Sequence, residues 1–427
     1  MECAIIAGGR GTRLGLEDIP KPMVPVAGKP LLEHQIELVR DSGIRKVYIL
    51  SGHLAEVIRS YFGNGEGFGV EIEHIVEDSP LGTAGAVRQL EGLIDEPFLV
   101  LYGDVYIDID LPRFVEGSRK NGGLGTLLVH PNDHPQDSDL LDTDEAGRIT
   151  AFYPKPHDQK RYYRNLVSAA LYILDPRIFS YIPVSGPSDF GRDIFPDVLK
   201  EGGELSAYST PEYVKDLGTP DRLGKVERDI LSGKAARKNL ASPQRAVFFD
   251  RDGIINREIG GVTEPAGFEL LPWASPALQR VNGSSFLAVC VTNQPVIAKG
   301  FCTEKDVQAI HRKMETLLGR DGAFFDAIYY CPHHPERGFA GEIKELKIDC
   351  SCRKPKPGML EKAAEKYNID LSRSYMIGDR EIDIEAGRRA GCRGSILITT
   401  EGNLTPDSKA DMILDDLVQA VQTIIEE

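Results

Sequence analysis

No stretch of the chain approaches the ~18 uninterrupted apolar residues that cross a bilayer, so a membrane is not its expected partner. Cysteine is scarce: seven thiols, an odd number spread over 427 residues, do not make the disulfide framework of a small secreted domain. Four or fewer are expected to do chemistry or bind metal. Basic residues are outnumbered, 50 Lys and Arg against 65 Asp and Glu. A net charge of -15 disfavours a nucleic-acid scaffold, which needs clustered cations on the phosphate backbone, but leaves small anionic substrates open. The opening MECAIIAGGRGTRL has no basic stretch, long apolar segment or small-residue cleavage site, so a cytoplasmic location is expected. Repeats and low-complexity tracts are missing too, and the sequence sets no oligomeric state.

What is present is ordinary globular composition, 41% hydrophobic and 27% charged, in a chain too long for one core. Short apolar runs (CAIIAGG, KVYILSG, PFLVLYGD, GTLLVH) alternate with amphipathic stretches such as LLEHQIELVRDSG. This is the rhythm of a doubly wound α/β layer, and it restarts at AVFFDRDG. The polar, basic SGKAARKNLASPQR between the halves lacks apolar periodicity and reads as a helix tail and linker. The expected organisation is therefore a first domain over 1–235, a linker over 236–244 and a second domain over 245–427.

The first strand runs into GGRGTRL, where Gly8, Gly9 and Gly11 let backbone N–H groups approach phosphate oxygens; Thr12 and Arg13 follow. A bare glycine turn is as readily a plain strand-to-helix connection. Lys21, however, lies between two prolines that restrict where its ammonium points. PFLVLYGDVYID then carries Asp104 and Asp108 to the carboxyl end of a strand, where α/β proteins bind ligands and where a carboxylate can hold Mg²⁺. Asp216 in VKDLGTP is the natural second carboxylate.

GGRGTRL, PKPM, SPLGTAGAV, GDVYID and KDLGTP follow one another as in sugar-1-phosphate nucleotidyltransferases, over about residues 1–230, and the chain resembles the guanylyltransferase branch acting on heptose or mannose 1-phosphate. The resemblance implies a Rossmann-like, glycosyltransferase-A-like domain. In it Gly8, Gly9, Gly11 and Thr12 cradle the nucleotide, Arg13 and Lys21 stabilise the phosphates under attack, and Asp104 and Asp216 hold Mg²⁺. Gly82 belongs to the substrate-binding SPLGT turn. Lys155 stands where the family has a Lys on the sugar phosphate, although Pro154 replaces the usual preceding acid. Ser168 and Ala170 stand where Asn and Gly are more usual. Glu77 suits guanine, whose N1–H and exocyclic amine are paired donors that uracil and thymine lack, so GTP is the expected nucleotide; the alternative is a solvated loop acid.

In the second half the strand AVFFD delivers Asp250 and, two residues on, Asp252, a spacing that lets one carboxylate attack phosphorus while the other exchanges a proton. Thr292 in VCVTNQ, Arg353 and Lys354, and Asp379 and Asp383 in MIGDREIDIEAG complete the pattern of haloacid dehalogenase-type phosphatases. That resemblance implies a second Rossmannoid domain. Asp250 would form an aspartyl-phosphate, Asp252 serve as acid then base, Thr292 hold the phosphoryl group and Lys354 neutralise charge. Mg²⁺ would sit on Asp250, Asp379 and the Asp252 carbonyl, Asp383 would orient the acidic loop, and Asn293 and Arg353 would meet substrate.

Cys331, His333, Cys350 and Cys352 form two close pairs that match a closed, four-coordinate structural Zn²⁺ site; scattered reduced thiols are the plain alternative. His311 and His334 receive no role. YYCPHHP, the CxC pair and CRKPKPGML are similar to heptose-1,7-bisphosphate and histidinol-phosphate phosphatases over about residues 245–400, with Ile254, Pro295 and Val296 departing from the usual DRDGT and TNQSG. Together the two resemblances imply an enzyme that removes the 7-phosphate of heptose 1,7-bisphosphate and makes GDP-D-glycero-D-manno-heptose from heptose phosphates and GTP. The alternatives are a mannose-1-phosphate guanylyltransferase joined to a histidinol-phosphate-type phosphatase, or a nucleotide-sugar-binding regulator without turnover.

Overall fold

The computed structural model describes residues 1–9, 18–399 and 408–426. Two compact units emerge. One comprises Met1–His130, Ser138–Lys155 and Leu166–Asn239; the other comprises Pro131–Asp137, Pro156–Asn165 and Leu240–Glu427.

The first unit is built on a nine-stranded mixed sheet. Its parallel core places Cys3–Ile6 between Lys46–Ser51 and Phe98–Tyr102, with Glu71–Val76 beyond. Val167–Leu174 adds antiparallel to Phe98–Tyr102. Continuous apolar runs form these strands because both faces are covered. Cys3, Ile5, Val47, Ile49, Leu99 and Leu101 enter one core, while Ala4, Tyr48, Leu50, Phe98 and Val100 enter the other. The strand period of two thus sorts neighbouring residues to opposite sides. Tyr213–Asp216 pairs antiparallel with Val105–Asp108, carrying Asp216 back beside the strand end that bears Asp104.

The second unit has a six-stranded, wholly parallel sheet. Arg245–Phe249 lies at its middle, between Phe286–Asn293 and Tyr375–Gly378. Strand order reverses across Arg245–Phe249, and such a switch point opens a crevice at the carboxyl ends. Asp250, Thr292 and Asp379 all stand at that edge, each at or just beyond its strand's end. Glu304–Arg320 flanks the sheet, started by a capping box in which Thr303 and Asp306 satisfy each other's backbone N–H groups.

The basic stretch after Ser232 differs from a solvated tether. A short helix, Lys234–Arg237, follows Pro220–Leu231, and Lys234, Lys238 and Gln244 are buried. Gln244 exchanges backbone hydrogen bonds with Asn368 and Asp370. Its side chains are long and polar, so periodicity concealed an ordered segment whose stems are covered. Among the described residues no helix is long and apolar enough to cross a membrane.

Candidate active sites

In the first unit Pro20, in extended conformation, feeds a single 3₁₀ turn, Lys21–Met23, whose lysine projects toward the sheet edge. Lys21 Nζ donates to Asp104 Oδ2 at 2.7 Å. Gly103 permits this approach, because a Cβ there would lie 2.9 Å from the Ile6 carbonyl oxygen and 3.1 Å from Pro22. Buried Gln35, from the helix Leu31–Asp41, donates to the carbonyls of Tyr102 and Val105 and so fixes the turn that presents Asp104. Leu217 N–H donates to the Asp104 carbonyl at 3.0 Å, which sets Asp216 alongside. Arg222 holds Asp216 at 2.7 and 2.9 Å. Two carboxylates on adjacent strand ends are hard oxygen donors of the kind Mg²⁺ takes, each currently balanced by a protein cation.

Glu77 lies against the first glycine turn. A Cβ on Gly8 would come within 2.6 Å of its Oε1, and one on Gly52 within 2.8 Å. Its other oxygen accepts the Leu81 N–H at 3.1 Å. Burial raises its pKa, and the Leu81 hydrogen bond works against that rise. Gly82 needs its φ of +74°, since a Cβ there would meet the Ser188 carbonyl oxygen at 2.4 Å. Among the described residues, nothing lies within 4 Å of where a Cβ on Gly9 would stand. Lys155 is exposed, and its backbone N–H donates to Asp139. Gly11, Thr12 and Arg13 lie outside the described residues. Ala170 adopts φ +56°, a left-handed conformation that favours the glycine more usual at this position in the sequence family it resembles.

The second site is buried. Lys354, with no exposed side-chain surface, bridges Asp250 at 2.9 Å and Asp383 at 2.6 Å. Asp250, Asp379 and Asp383 bring carboxylate oxygens within 4.8 Å of one another. Burial, then the charge of Asp383, lifts Asp250 to about 8 against the pull of Lys354, and the same two causes lift Asp379 to about 7. Asp379 Oδ1 is buried without a hydrogen-bond partner. Three carboxylates against one ammonium, with an orphaned oxygen, fit a divalent cation. Gly253, at φ +83°, is required: a Cβ there would come 2.2 Å from Asp379 Oδ2.

Asp252 is held differently. Arg251, fully buried, reaches its two oxygens at 2.8 and 3.0 Å, and Asn256 and Gln294 donate at 2.9 and 2.8 Å. Burial pushes Asp252 up, but Arg251 and these hydrogen bonds hold it below the usual carboxylate range. Gln294 also donates to the Thr292 hydroxyl at 3.0 Å. Arg251, Asn256 and Gln294 received no role from sequence, although TNQ and DRDG contained the signal for two of them. Asp250 and Asp252 thus sit in opposite surroundings, burial and the Asp383 charge raising the first, Arg251 and its fellow donors lowering the second.

The Asn293 amide donates to the Lys354 carbonyl and accepts the Lys354 N–H, both at 3.0 Å. It clamps the backbone that delivers the lysine. Arg353 donates to the His333 carbonyl at 3.3 Å. Ile254 and Val296, two of the departures from the phosphatase pattern, are buried among apolar side chains. His311 accepts from Arg251 at 3.2 Å, and burial, then Arg251, lowers it to about 3.

Cys331, His333, Cys350 and Cys352 converge with donor separations of 3.3 to 3.6 Å. None of the cysteines is in a disulfide. A tetrahedron with metal–sulfur bonds of ~2.3 Å has edges of ~3.7 Å, close to this spacing. Hydrogen bonding from Cys331 is the largest influence drawing Cys352 down to about 5, toward the thiolate that a metal needs.

With these geometries in place, comparison with known proteins is direct. Residues 3–233 match the family described as Nucleotidyl transferase. The chain belongs to that family. Residues 351–420 match the HAD-like hydrolases. Over 259 residues, 57% of this chain, it is 31% identical to a UTP–glucose-1-phosphate uridylyltransferase from Synechocystis and spans 66% of that protein. A mannose-1-phosphate guanylyltransferase from Mycobacterium tuberculosis is 30% identical over 239 residues, 55% of this chain and 66% of the relative. The chain therefore covers slightly less than two thirds of either nucleotidyltransferase. A D-glycero-beta-D-manno-heptose-1,7-bisphosphate 7-phosphatase from Haemophilus ducreyi is 39% identical over 181 residues, 42% of this chain and 97% of the relative. The nucleotidyl transferase chain is thus also a HAD-like phosphatase, and the heptose-bisphosphate phosphatases are its relatives over nearly their whole length.

Proposed function

We propose that this chain makes GDP-D-glycero-D-manno-heptose in two steps, removing the 7-phosphate of heptose 1,7-bisphosphate in its second unit and transferring GMP from GTP to heptose 1-phosphate in its first. The 39% identity across 97% of a heptose-bisphosphate phosphatase carries the sugar assignment. The product of that hydrolysis is a sugar 1-phosphate, the acceptor class of the first unit.

In the phosphatase, an Asp250 oxygen attacks phosphorus and the sugar oxygen leaves with a proton from Asp252. An incoming phosphate adds negative charge beside Asp252 and favours its protonation. Asp252, returned to the carboxylate by Arg251, Asn256 and Gln294, then takes a proton from the water that cleaves the aspartyl-phosphate. Lys354 balances charge on Asp250 and the phosphoryl oxygens, and Thr292 holds the latter. Asp250, Asp379 and the Asp252 carbonyl would hold Mg²⁺, which neutralises phosphoryl charge when bound. Cys331, His333, Cys350 and Cys352 would hold a structural Zn²⁺, and Arg353 ties this loop to the lysine turn.

In the transferase, a sugar-phosphate oxygen attacks the α-phosphorus of GTP and pyrophosphate leaves. Lys21 and Arg13 stabilise the phosphates, and Asp104 and Asp216 would hold Mg²⁺. Gly8, Gly9, Gly11, Thr12 and Gly82 shape the nucleotide cradle, Lys155 takes the sugar phosphate, and Glu77 accepts from guanine. A second reading, mannose 1-phosphate as acceptor, is favoured by the 30% identity to a mannose-1-phosphate guanylyltransferase. Mass spectrometry of reactions containing heptose 1,7-bisphosphate, Mg²⁺ and one NTP at a time separates the two. GDP-heptose formed only with GTP is the expected result; phosphate release without any nucleotide sugar would remove heptose as the acceptor.

A further inference from the structure

His311 takes no part in the phosphoryl chemistry, yet it touches the residue that grips the proton carrier. It is buried near the middle of the helix Glu304–Arg320. Its ring stands edge-on to Tyr330, with centroids 5.6 Å apart, and Tyr330 pairs in register with Thr292 on the neighbouring strand. Lys313, two residues on, donates to the carbonyls of Pro265 and Phe268, both at 2.8 Å. Helix and strand together set the imidazole beside the site.

Arg251 divides its guanidinium between two partners. Nη2 donates to the Asp252 oxygens at 2.8 and 3.0 Å and Nε donates to Oδ1 at 3.3 Å, while Nη1 donates to His311 Nε2 at 3.2 Å. A guanidinium is planar and only donates, so a partner at Nη1 fixes the rotation of the edge that faces Asp252. The same contact settles the imidazole: Nε2 accepts, and the ring proton sits on Nδ1. Burial and the Arg251 charge both favour that neutral form.

Asp252 alternates between two protonation states in each turnover. When it holds the proton, Arg251 loses its anionic partner although its side chain has no exposed surface, and a buried cation then turns toward other acceptors. Asp250 is the nearest of these, already accepting the Arg251 backbone N–H at 2.7 Å. His311 gives Nη1 an acceptor whose charge stays constant through the cycle, so the guanidinium keeps its plane with or without the proton on Asp252.

We propose that His311 is a positioning residue of the phosphatase, which by accepting from Arg251 Nη1 holds the guanidinium that aims Asp252 at the leaving oxygen. His311 itself transfers no proton and makes no bond to substrate. The proposal rests on the phosphatase reading, with Asp252 as proton carrier.

An alkyl and an aryl phosphate separate aim from fold. The alkoxide leaving a sugar phosphate is a strong base that needs its proton, whereas p-nitrophenolate leaves as a stable anion and gains little from an acid. For each substrate kcat/KM covers the steps up to the aspartyl-phosphate, and the ratio of the two values in one preparation is independent of how much of it is folded. In the full-length protein with Mg²⁺, His311→Phe should lower kcat/KM for heptose 1,7-bisphosphate on the order of 10-fold or more, and for p-nitrophenyl phosphate by under about 3-fold. His311→Gln, whose amide oxygen can accept from Nη1, should restore most of the ratio. His311→Leu, equally without an acceptor, replaces the Phe variant should that chain not fold. A ratio unchanged in the acceptor-free variants, or no better in His311→Gln than in His311→Phe, overturns the proposal. Should the unaltered chain hydrolyse p-nitrophenyl phosphate but not the heptose bisphosphate, the heptose reading falls, and histidinol phosphate, also an alkyl ester, then supplies the ratio. Hydrolysis of none of these esters overturns the phosphatase reading and the proposal together.

Discussion

Lys354 and Lys21 each face an aspartate at the carboxyl end of a strand, yet their surroundings differ. Lys354 has no exposed side-chain surface between Asp250 and Asp383. Lys21 and Asp104 retain 13% and 41% of theirs. A phosphatase that forms a covalent aspartyl-phosphate needs a preset, dry nucleophile, and the buried Lys354 holds Asp250 in place before any substrate arrives. A nucleotidyltransferase binds a large polyanion, and its cations stay accessible because the substrate completes the charge balance.

The largest expected effect is at Lys354. Its replacement by Met leaves Asp250 and Asp383 buried without their cation, so phosphate release should be lost and the second unit should lose about 3–5 kcal/mol in denaturant titration. An active, fully stable variant would erase the contrast with Lys21. Next, Cys352→Ser should lower bound zinc measured by elemental analysis and the melting temperature of the second unit, because a structural metal binds the folded state. Unchanged zinc content would remove the metal assignment. Lys21→Ala should abolish nucleotide-sugar formation while costing under ~1 kcal/mol of stability, as befits a part-exposed pair.

A subtler effect concerns pH. His311 titrates at about 3 in the folded protein, so between its ordinary value near ~6.5 and that point the unfolded chain carries the extra proton. Its contribution to stability is present above that window and is lost as the pH falls through it. His311→Gln should therefore flatten the acid side of the stability curve, read by unfolding at pH 7 and pH 4; parallel curves would contradict the buried neutral imidazole. The smallest effect is at Ala170, where Gly relieves left-handed strain but costs chain entropy, for a net gain of about 1 kcal/mol or less. A lower melting temperature for Ala170→Gly would show that the methyl's packing outweighs its strain.

Much of the phosphatase was legible because its motifs are local: Asp250 and Asp252 share one turn, and the Cys331/His333 and Cys350/Cys352 pairs each span three residues. The alternating faces of the strands were legible for the same reason, as a period of two in the sequence. Arg251 meeting His311, and Gln294 meeting Asp252, depend on residues 60 and 42 positions apart, and hydrophobic period carries no record of such meetings. Buried Lys234 and Lys238 were illegible because long aliphatic stems can be covered while composition still reads as polar.

The segment Pro156–Asn165 begins directly after Lys155 and belongs to the phosphatase unit, where the Tyr163 backbone exchanges hydrogen bonds with the Thr316 hydroxyl and Asn165 N–H donates to Glu315. The 181 residues aligned with the Haemophilus phosphatase account for 97% of that relative. A gene cut at Asn239 would yield a downstream product of familiar length that nevertheless lacks both Pro131–Asp137 and Pro156–Asn165 of its own body. Transplanting the phosphatase as its whole compact unit therefore means carrying two strand-connecting loops written inside its neighbour's coding sequence.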